Sequence, residues 1–129
     1  QAHYVGMSEC ETCHMEAQEV WEKTGHAKAY KTLVDDHKQF NLDCVGCHVT
    51  GYGEPGGSTV THNEELRDVQ CETCHGPGSL HIKDPENKAL ITLKPDPKSC
   101  VDQCHHPPHV EGFDPIAKME LVLGPGHGR

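Results

Sequence analysis

The chain is poor in the side chains from which protein interiors are usually built. Of its 129 residues, 34% are hydrophobic and 5% are aromatic, which is less than a domain of this length normally uses for its core. No apolar run approaches the length of a membrane-spanning helix. Cations are also scarce, with 11 lysines and arginines against 20 acidic residues and a formal net charge of -9. This balance argues against nucleic acid and anionic membranes as partners. A chain so lean in apolar residues needs another source of cohesion.

Cysteine and histidine are plentiful by contrast, and they occur in a fixed pattern. All eight cysteines fall in four pairs, and a histidine follows each pair directly. The four motifs are Cys10, Cys13 and His14; Cys44, Cys47 and His48; Cys71, Cys74 and His75; and Cys100, Cys104 and His105. The spacing Cys-x-x-Cys-His is the attachment signature of a c-type haem, whose vinyl groups bind the two thiols while the histidine is the proximal iron ligand. The fourth motif has one extra residue, and this longer loop can still bring both thiols to the vinyl groups.

Three other uses of paired cysteines compete with haem attachment. Disulfides, zinc sites and iron-sulfur clusters all employ such pairs. None of them requires a histidine directly after the second thiol. With 12 histidines in the chain, chance would place one after all four pairs in about one of ten thousand sequences. The pattern therefore predicts four covalently attached c-type haems.

Four haems in one short chain dictate the fold class. Each haem has 129/4, or roughly 32, residues to cover it, so the porphyrins themselves form the core. We predict a multihaem cytochrome c, mostly irregular, with a few short α-helices wrapped around four stacked haems and minimal β-structure. Residues 1–129 form a single tetrahaem domain, with an N-terminal arm over residues 1–9 and a C-terminal tail over residues 124–129.

Local patterns place the short helices. Good helix formers follow the first motif over residues 16–23, and Gly25 interrupts them. His26, Tyr30 and Leu33 then share one face of a second short helix. Other segments have weaker signals: a short strand over residues 58–62, a helical turn within residues 86–93 and a short helix over residues 115–123.

The sixth iron ligands decide between electron transfer and catalysis. Two histidines on one iron make a closed site suited to electron transfer, whereas an open position admits a substrate. Eight histidines remain after the four proximal ones: His3, His26, His37, His62, His81, His106, His109 and His127. Four suffice for full bis-histidine ligation, so the excess favours it. The three methionines fit packing roles better.

Three stretches carry a family resemblance. The first haem region through Trp21 to residues 24–29, together with residues 44–53 and 69–78, resembles the small tetrahaem cytochromes that accept electrons from hydroxylamine oxidoreductase in ammonia oxidisers. The resemblance implies that His26, His81 and His127 are distal ligands. It also implies that the haem at the second motif can be five-coordinate. The chain departs from that family in its fourth motif and its shorter length.

The chain's compactness also resembles the tetrahaem subunits of extracellular cytochrome filaments, where a histidine of one subunit completes a haem in the next. His3, on a free N-terminal arm, is suited to such a reach, and a solvent-exposed His3 is the competing interpretation. His37 and His62 are its rivals within the chain for the fourth distal position. His106 and His109 lie beside prolines, which favours surface or supporting roles.

We therefore predict an electron-transfer protein rather than an enzyme. The resemblance to filament subunits implies that it is a subunit of an extracellular cytochrome filament. Its partners are redox donor and acceptor proteins or extracellular acceptors, and a homo-oligomer or polymer is expected. A chain that begins at Gln1 is typical of a processed terminus, and haem attachment of this kind takes place outside the cytoplasm, so a periplasmic or extracellular location follows. The main alternative is a haem enzyme that reduces a small nitrogen compound at one five-coordinate iron, and a passive haem-carrying module is another.

Overall fold

The computed structural model describes residues 2–59, 61–62, 64–105 and 113–123. These residues form short helices joined by long irregular segments, which confirms the predicted fold class. The helices are α1 (Met7–Glu11), α2 (Met15–Trp21), α3 (Ala29–Asp35), α4 (Leu42–Val45), α5 (Cys71–His75), α6 (Ser79–Lys83), α7 (Lys98–Gln103) and α8 (Pro115–Lys118), with 3₁₀ turns at Gly25–Lys28, Lys88–Leu90 and Met119–Leu121. None of these described helices has the length and apolar character needed to cross a membrane.

The helices begin and end largely where the sequence indicates. α2 gives way to the 3₁₀ turn at Gly25–Lys28, and α3 follows it. Tyr30 and Leu33 on α3 are 6% and 5% exposed, so the predicted apolar face is buried. Asp114 caps α8 by accepting hydrogen bonds from the amides of its second and third residues. The strand expected over residues 58–62 is not formed by the residues described there. A bridge between Val49 and Arg67 lies outside that range.

The apolar core built by side chains is small. Its cluster consists of Tyr30, Leu33, Val45 and Val49, with Cys44 packed against it. Large apolar side chains beside the second motif stay outside this cluster, and Phe40 and Leu42 are 66% and 70% exposed. Such residues, next to a haem-attachment motif, are the ones that a flat apolar group would cover.

A buried hydroxyl joins the loop after the second motif to the segment that leads into the third. Thr50 is fully buried, and its Oγ1 donates to the carbonyl of Asp68 (2.9 Å) and accepts from the amide of Gln70 (3.0 Å). The hydroxyl of Thr73, inside the third motif, lies 3.2 Å from the same oxygen. These contacts fix the second and third motifs relative to each other.

The N-terminal arm is anchored rather than free. The amide of His3 donates to Ser79 Oγ (2.9 Å), and the amide of Ser79 donates back to the His3 carbonyl (3.3 Å). The amide of Tyr4 donates to the carbonyl of Pro55 (2.9 Å). The expectation of a free arm was therefore wrong, because this backbone finds its partners in the loop after the second motif and at the first residue of α6. α1 also begins within the arm, at Met7.

Candidate haem-binding site

Each of the four motifs lies on or beside one turn of helix. The third motif fills α5, whereas Cys10 lies within α1, Cys44 within α4 and Cys100 within α7. A helical turn brings residues three or four apart to one side, so both thiols of a motif can reach the same flat group. None of the eight cysteines forms a disulfide. Among the residues that the structure describes, no three cysteine, histidine or carboxylate side chains converge to hold a metal ion, as a zinc site would require.

Two of the expected proximal histidines are already oriented for an iron. His48 Nδ1 donates to the carbonyl of Ala29 (2.5 Å), and His75 Nδ1 donates to the carbonyl of Thr92 (2.6 Å). A hydrogen bond from one ring nitrogen to a backbone carbonyl fixes the tautomer and leaves the other nitrogen, Nε2, as the metal ligand. His48 and His75 are therefore suited to bind a haem iron through Nε2.

The two other proximal histidines each face a histidine from a distant part of the chain. The ring centroids of His14 and His81 are 6.5 Å apart, with an interplanar angle of 21°. Those of His26 and His105 are 6.1 Å apart, with an interplanar angle of 53°. Two imidazoles that bind one metal from opposite sides, at about 2.0 Å each, have centroids about 6.3 Å apart once the ring radii are included. Both spacings leave room for an iron between the rings.

The surroundings of these rings favour the neutral imidazole that binds metal. Burial lowers the pKa of His26, and the nearby His105 lowers it further. Burial also lowers the pKa of His105, whose ring stacks on Phe113 with centroids 4.1 Å apart. His81 Nδ1 is buried without a hydrogen-bond partner. An orphaned buried nitrogen is costly unless a further group satisfies it, and a bound haem is such a group.

Contacts between the motifs give the order in which they are arranged. α1, which carries Cys10, packs against α5, which is the third motif. Cys104 Sγ donates to the carbonyl of Cys47 (3.9 Å), and Cys47 Sγ donates to the carbonyl of Gln103 (3.6 Å). These contacts join the first motif to the third and the second motif to the fourth.

A further hydrogen bond connects these two pairs of motifs. Gln103 Nε2, in the fourth motif, donates to the carbonyl of Thr73, in the third motif (3.4 Å). The third and fourth motifs are therefore neighbours, and these contacts give the order first, third, fourth, second.

The remaining histidines are not brought to any motif by a ring contact among the described residues. The side chains of His3, His37 and His62 are exposed. His37 has a positive φ of 59° at the end of α3. The expected ligand His127, with the tail over residues 124–129, lies outside the described residues, as do His106 and His109.

Sequence reasoning did not identify the groups that hold the imidazoles in place. The carbonyls of Ala29 and Thr92 belong to any residue type, so no pattern could mark them. Glu72 was also missed, although it is almost fully buried inside the third motif. The two positions between the thiols accept any side chain in the signature, so a glutamate there carries no signal of its own.

Four thiol pairs with adjacent histidines, and imidazoles facing each other at iron-spanning distances, define a multihaem c-type cytochrome. The chain belongs to the family described as cytochrome c554 and c-prime, which matches residues 9–76. It is a tetrahaem member with covalently bound haem.

Two comparisons show which known proteins the chain is similar to. It is 38% identical over 93 residues to a protein named cytochrome c-554 from Nitrosomonas europaea, an alignment that covers 60% of this chain and 40% of the relative. The chain thus spans about two fifths of the length of that curated relative. The fold is similar to a solved structure of the reduced state of cytochrome c554 from Nitrosomonas europaea, with a TM-score of 0.70, 24% identity, and coverage of 95% of this chain and 79% of that one.

Proposed function

We propose that the chain transfers electrons through its four c-type haems and breaks no bond in a substrate. When bound, each haem supplies an iron that takes up and gives up one electron. The chain's residues hold those groups close together, exclude water from part of their surface and set their potentials. The observation that carries the proposal is the pairing of imidazoles, His14 with His81 and His26 with His105, because two axial histidines close an iron to substrates.

The attachment residues follow the motifs. The thiols of Cys10 and Cys13, Cys44 and Cys47, Cys71 and Cys74, and Cys100 and Cys104 each bind one haem, and His14, His48, His75 and His105 are the proximal ligands. His81 and His26 are the distal ligands of the first and fourth haems. His127 and His3 stay candidates for the other two irons. Residues 1–129 act as one domain.

The arrangement of the motifs determines the two ends of the electron-transfer path. The first motif packs against the third, the third is hydrogen-bonded to the fourth, and the fourth is hydrogen-bonded to the second. Electrons therefore enter or leave at the first and second motifs, which are the two ends of this order. Donor and acceptor proteins, or an extracellular acceptor, would dock at those ends. Covalent haem attachment supports a periplasmic or extracellular location.

The ligand assignment is tested by removing one imidazole at a time. We expect His26→Ala and His81→Ala each to convert about one quarter of the ferric haem to the high-spin form, because one of four irons loses its sixth ligand. His37→Ala is the matched control, since its exposed ring contacts no other histidine among the described residues. Electronic and paramagnetic resonance spectra of the ferric protein measure the fraction. Unchanged low-spin spectra in both test variants would contradict the assignment.

The proposal extends to polymerisation through His3. Its ring is exposed while its backbone is tied to Ser79, so it is presented outward from a fixed point, as a ligand for a neighbouring subunit would be. Electron microscopy of the secreted protein tests this role. His3→Ala should disperse filaments, and filaments that persist in the variant would exclude His3 as the bridge.

A second candidate is reduction of a small nitrogen compound at one open iron. It is favoured by His48, whose ring faces no other imidazole among the described residues. A high-spin fraction near one quarter in the unsubstituted ferric protein would support this enzyme, and wholly low-spin haem would exclude it.

A further inference from the structure

One ionisable side chain is buried among the haem-attachment residues without any role in attachment. Glu72 lies on α5, between the two thiols of the third motif, and is 2% exposed. Glutamate is almost never buried to this extent unless it is paired. Removing a carboxylate from water is costly, and hydrogen bonds or an opposite charge must compensate.

Backbone amides provide that compensation. The carboxylate oxygens of Glu72 accept hydrogen bonds from the amides of Val5 (3.0 and 3.2 Å), Gly6 (2.8 Å) and Gly78 (2.7 Å). All of these partners are donors, and an ionised carboxylate is an acceptor only. The donors come from the N-terminal arm and from the loop after the third motif, so one side chain joins both segments to α5.

The hydrogen-bond partners of the Glu72 carboxylate are backbone N–H groups, which are dipoles and carry no net positive charge. The partial charges of N–H groups stabilise the anion but leave its net charge in place. Glu72 is therefore a fixed unit of negative charge in a site with little water to screen it.

The backbone is built to admit the carboxylate. A Cβ at Gly78 would lie 3.3 Å from Glu72 Oε2, which is closer than ordinary contact. Gly6 has a φ of +93°, a conformation that side chains disfavour, and a Cβ there would lie 3.2 Å from the carbonyl of Glu65. Two of the three donor residues are thus glycines in positions where another residue would crowd the site.

Glu72 lies close to the attachment residues of two motifs. In the third motif it directly follows Cys71 on α5. Towards the first motif, it accepts a hydrogen bond from the amide of Gly6 (2.8 Å), and the carbonyl of Gly6 accepts from Cys10 Sγ (3.8 Å). The carboxylate is therefore close enough to influence groups attached at the first and third motifs.

We propose that Glu72 is a potential-setting residue, whose buried negative charge lowers the reduction potentials of the haems at the first and third motifs. Reduction adds an electron to the iron site, and a nearby anion disfavours this step. Even at about 12 Å, through an effective dielectric of about 20, a unit charge changes a one-electron equilibrium about tenfold. The inference rests on the proposed electron-transfer function.

The test is a redox titration of the holoprotein followed by its haem absorption. Glu72→Gln removes the charge and keeps the size of the side chain, and we expect two of the four one-electron steps to rise in potential. The expected change is about tenfold in the ratio of oxidised to reduced haem, which is about 59 mV for one electron. Glu72→Asp keeps the charge while disturbing the hydrogen bonds, and its potentials should stay close to those of the unsubstituted protein.

Glu9→Gln is the matched control for charge. Glu9 directly precedes Cys10 but is exposed on α1, so solvent screens it and a much smaller change is expected. A purely structural role of Glu72 would shift both Glu72 variants alike, or neither. Either result would overturn the inference.

A further measurement covers the case in which Glu72→Gln fails to take up four haems. Infrared difference spectra of the unsubstituted protein, labelled with ¹³C-glutamate, should then show a glutamate carboxylate band that shifts on haem reduction; its absence would overturn the inference. The proposed function fails separately, if the unsubstituted protein takes up no electrons reversibly.

Discussion

A single indole hydrogen bond ties the first haem region to the segment that enters the third. Trp21 Nε1 donates to the carbonyl of Val69 (2.6 Å), and the amide of Val69 donates to the carbonyl of His26 (3.0 Å). Val69 is 9% exposed, so its carbonyl has little access to water. Trp21→Phe keeps an aromatic ring but removes the donor. A buried carbonyl that loses its partner costs about 1–3 kcal/mol.

Guanidinium unfolding measures this loss. For a slope of about 3 kcal/mol/M, the midpoint should fall by about 0.3–1 M. Thr32→Val is the matched control, because Thr32 Oγ1 donates to the carbonyl of Lys28 (3.3 Å) on an exposed surface. Its effect should stay within about 0.5 kcal/mol. Equal shifts in the two variants, at equal haem content, would refute the reasoning that burial makes the indole bond important.

Two further predictions concern the segments that pack around the motifs. A Cβ at Gly57 would lie 1.8 Å from the carbonyl of Gly51, so Gly57→Ala should cost at least about 2 kcal/mol in the same unfolding assay. Gly25→Ala meets nothing within 4 Å and should be neutral or stabilising by up to about 1 kcal/mol; comparable losses in both variants would contradict the steric argument. Burial, aided by the charges of Glu54 and Glu72, raises the pKa of Tyr4 above 10.0. The folded chain therefore holds this proton to higher pH than the unfolded chain does, so stability is fully present below pH 10.0 and falls as the pH rises through the raised value. Tyr4→Phe should remove that part of the alkaline loss in a pH series of unfolding midpoints, and an unchanged alkaline slope would contradict the assignment.

Local chemistry could be read directly from the sequence. Thiols and a histidine within five or six residues lie close together in any conformation, so the cofactor, the four motifs and a porphyrin-filled interior follow from spacing and composition. The buried face of Tyr30 and Leu33 could be predicted for the same reason, because residues three apart share one side of a helix. The strand expected near residues 58–62 is not formed by the residues described there, because its alternation was weak and the amide of Ser58 instead donates to the carbonyl of Thr50 in a turn-rich loop.

Contacts between distant segments could not be predicted from spacing. His26 and His105 come from opposite ends of the chain, and the sequence offered several histidines that were chemically equal to them. The exposed positions of His37 and His62, the anchoring of the arm that carries His3, and the burial of Glu72 likewise depend on which backbone groups meet in the folded chain. The sequence alone therefore determined what this protein binds, since covalent attachment is a property of neighbouring residues. Only the tertiary structure decided which imidazoles face each other and in what order the motifs lie, since both depend on packing between segments far apart in the chain.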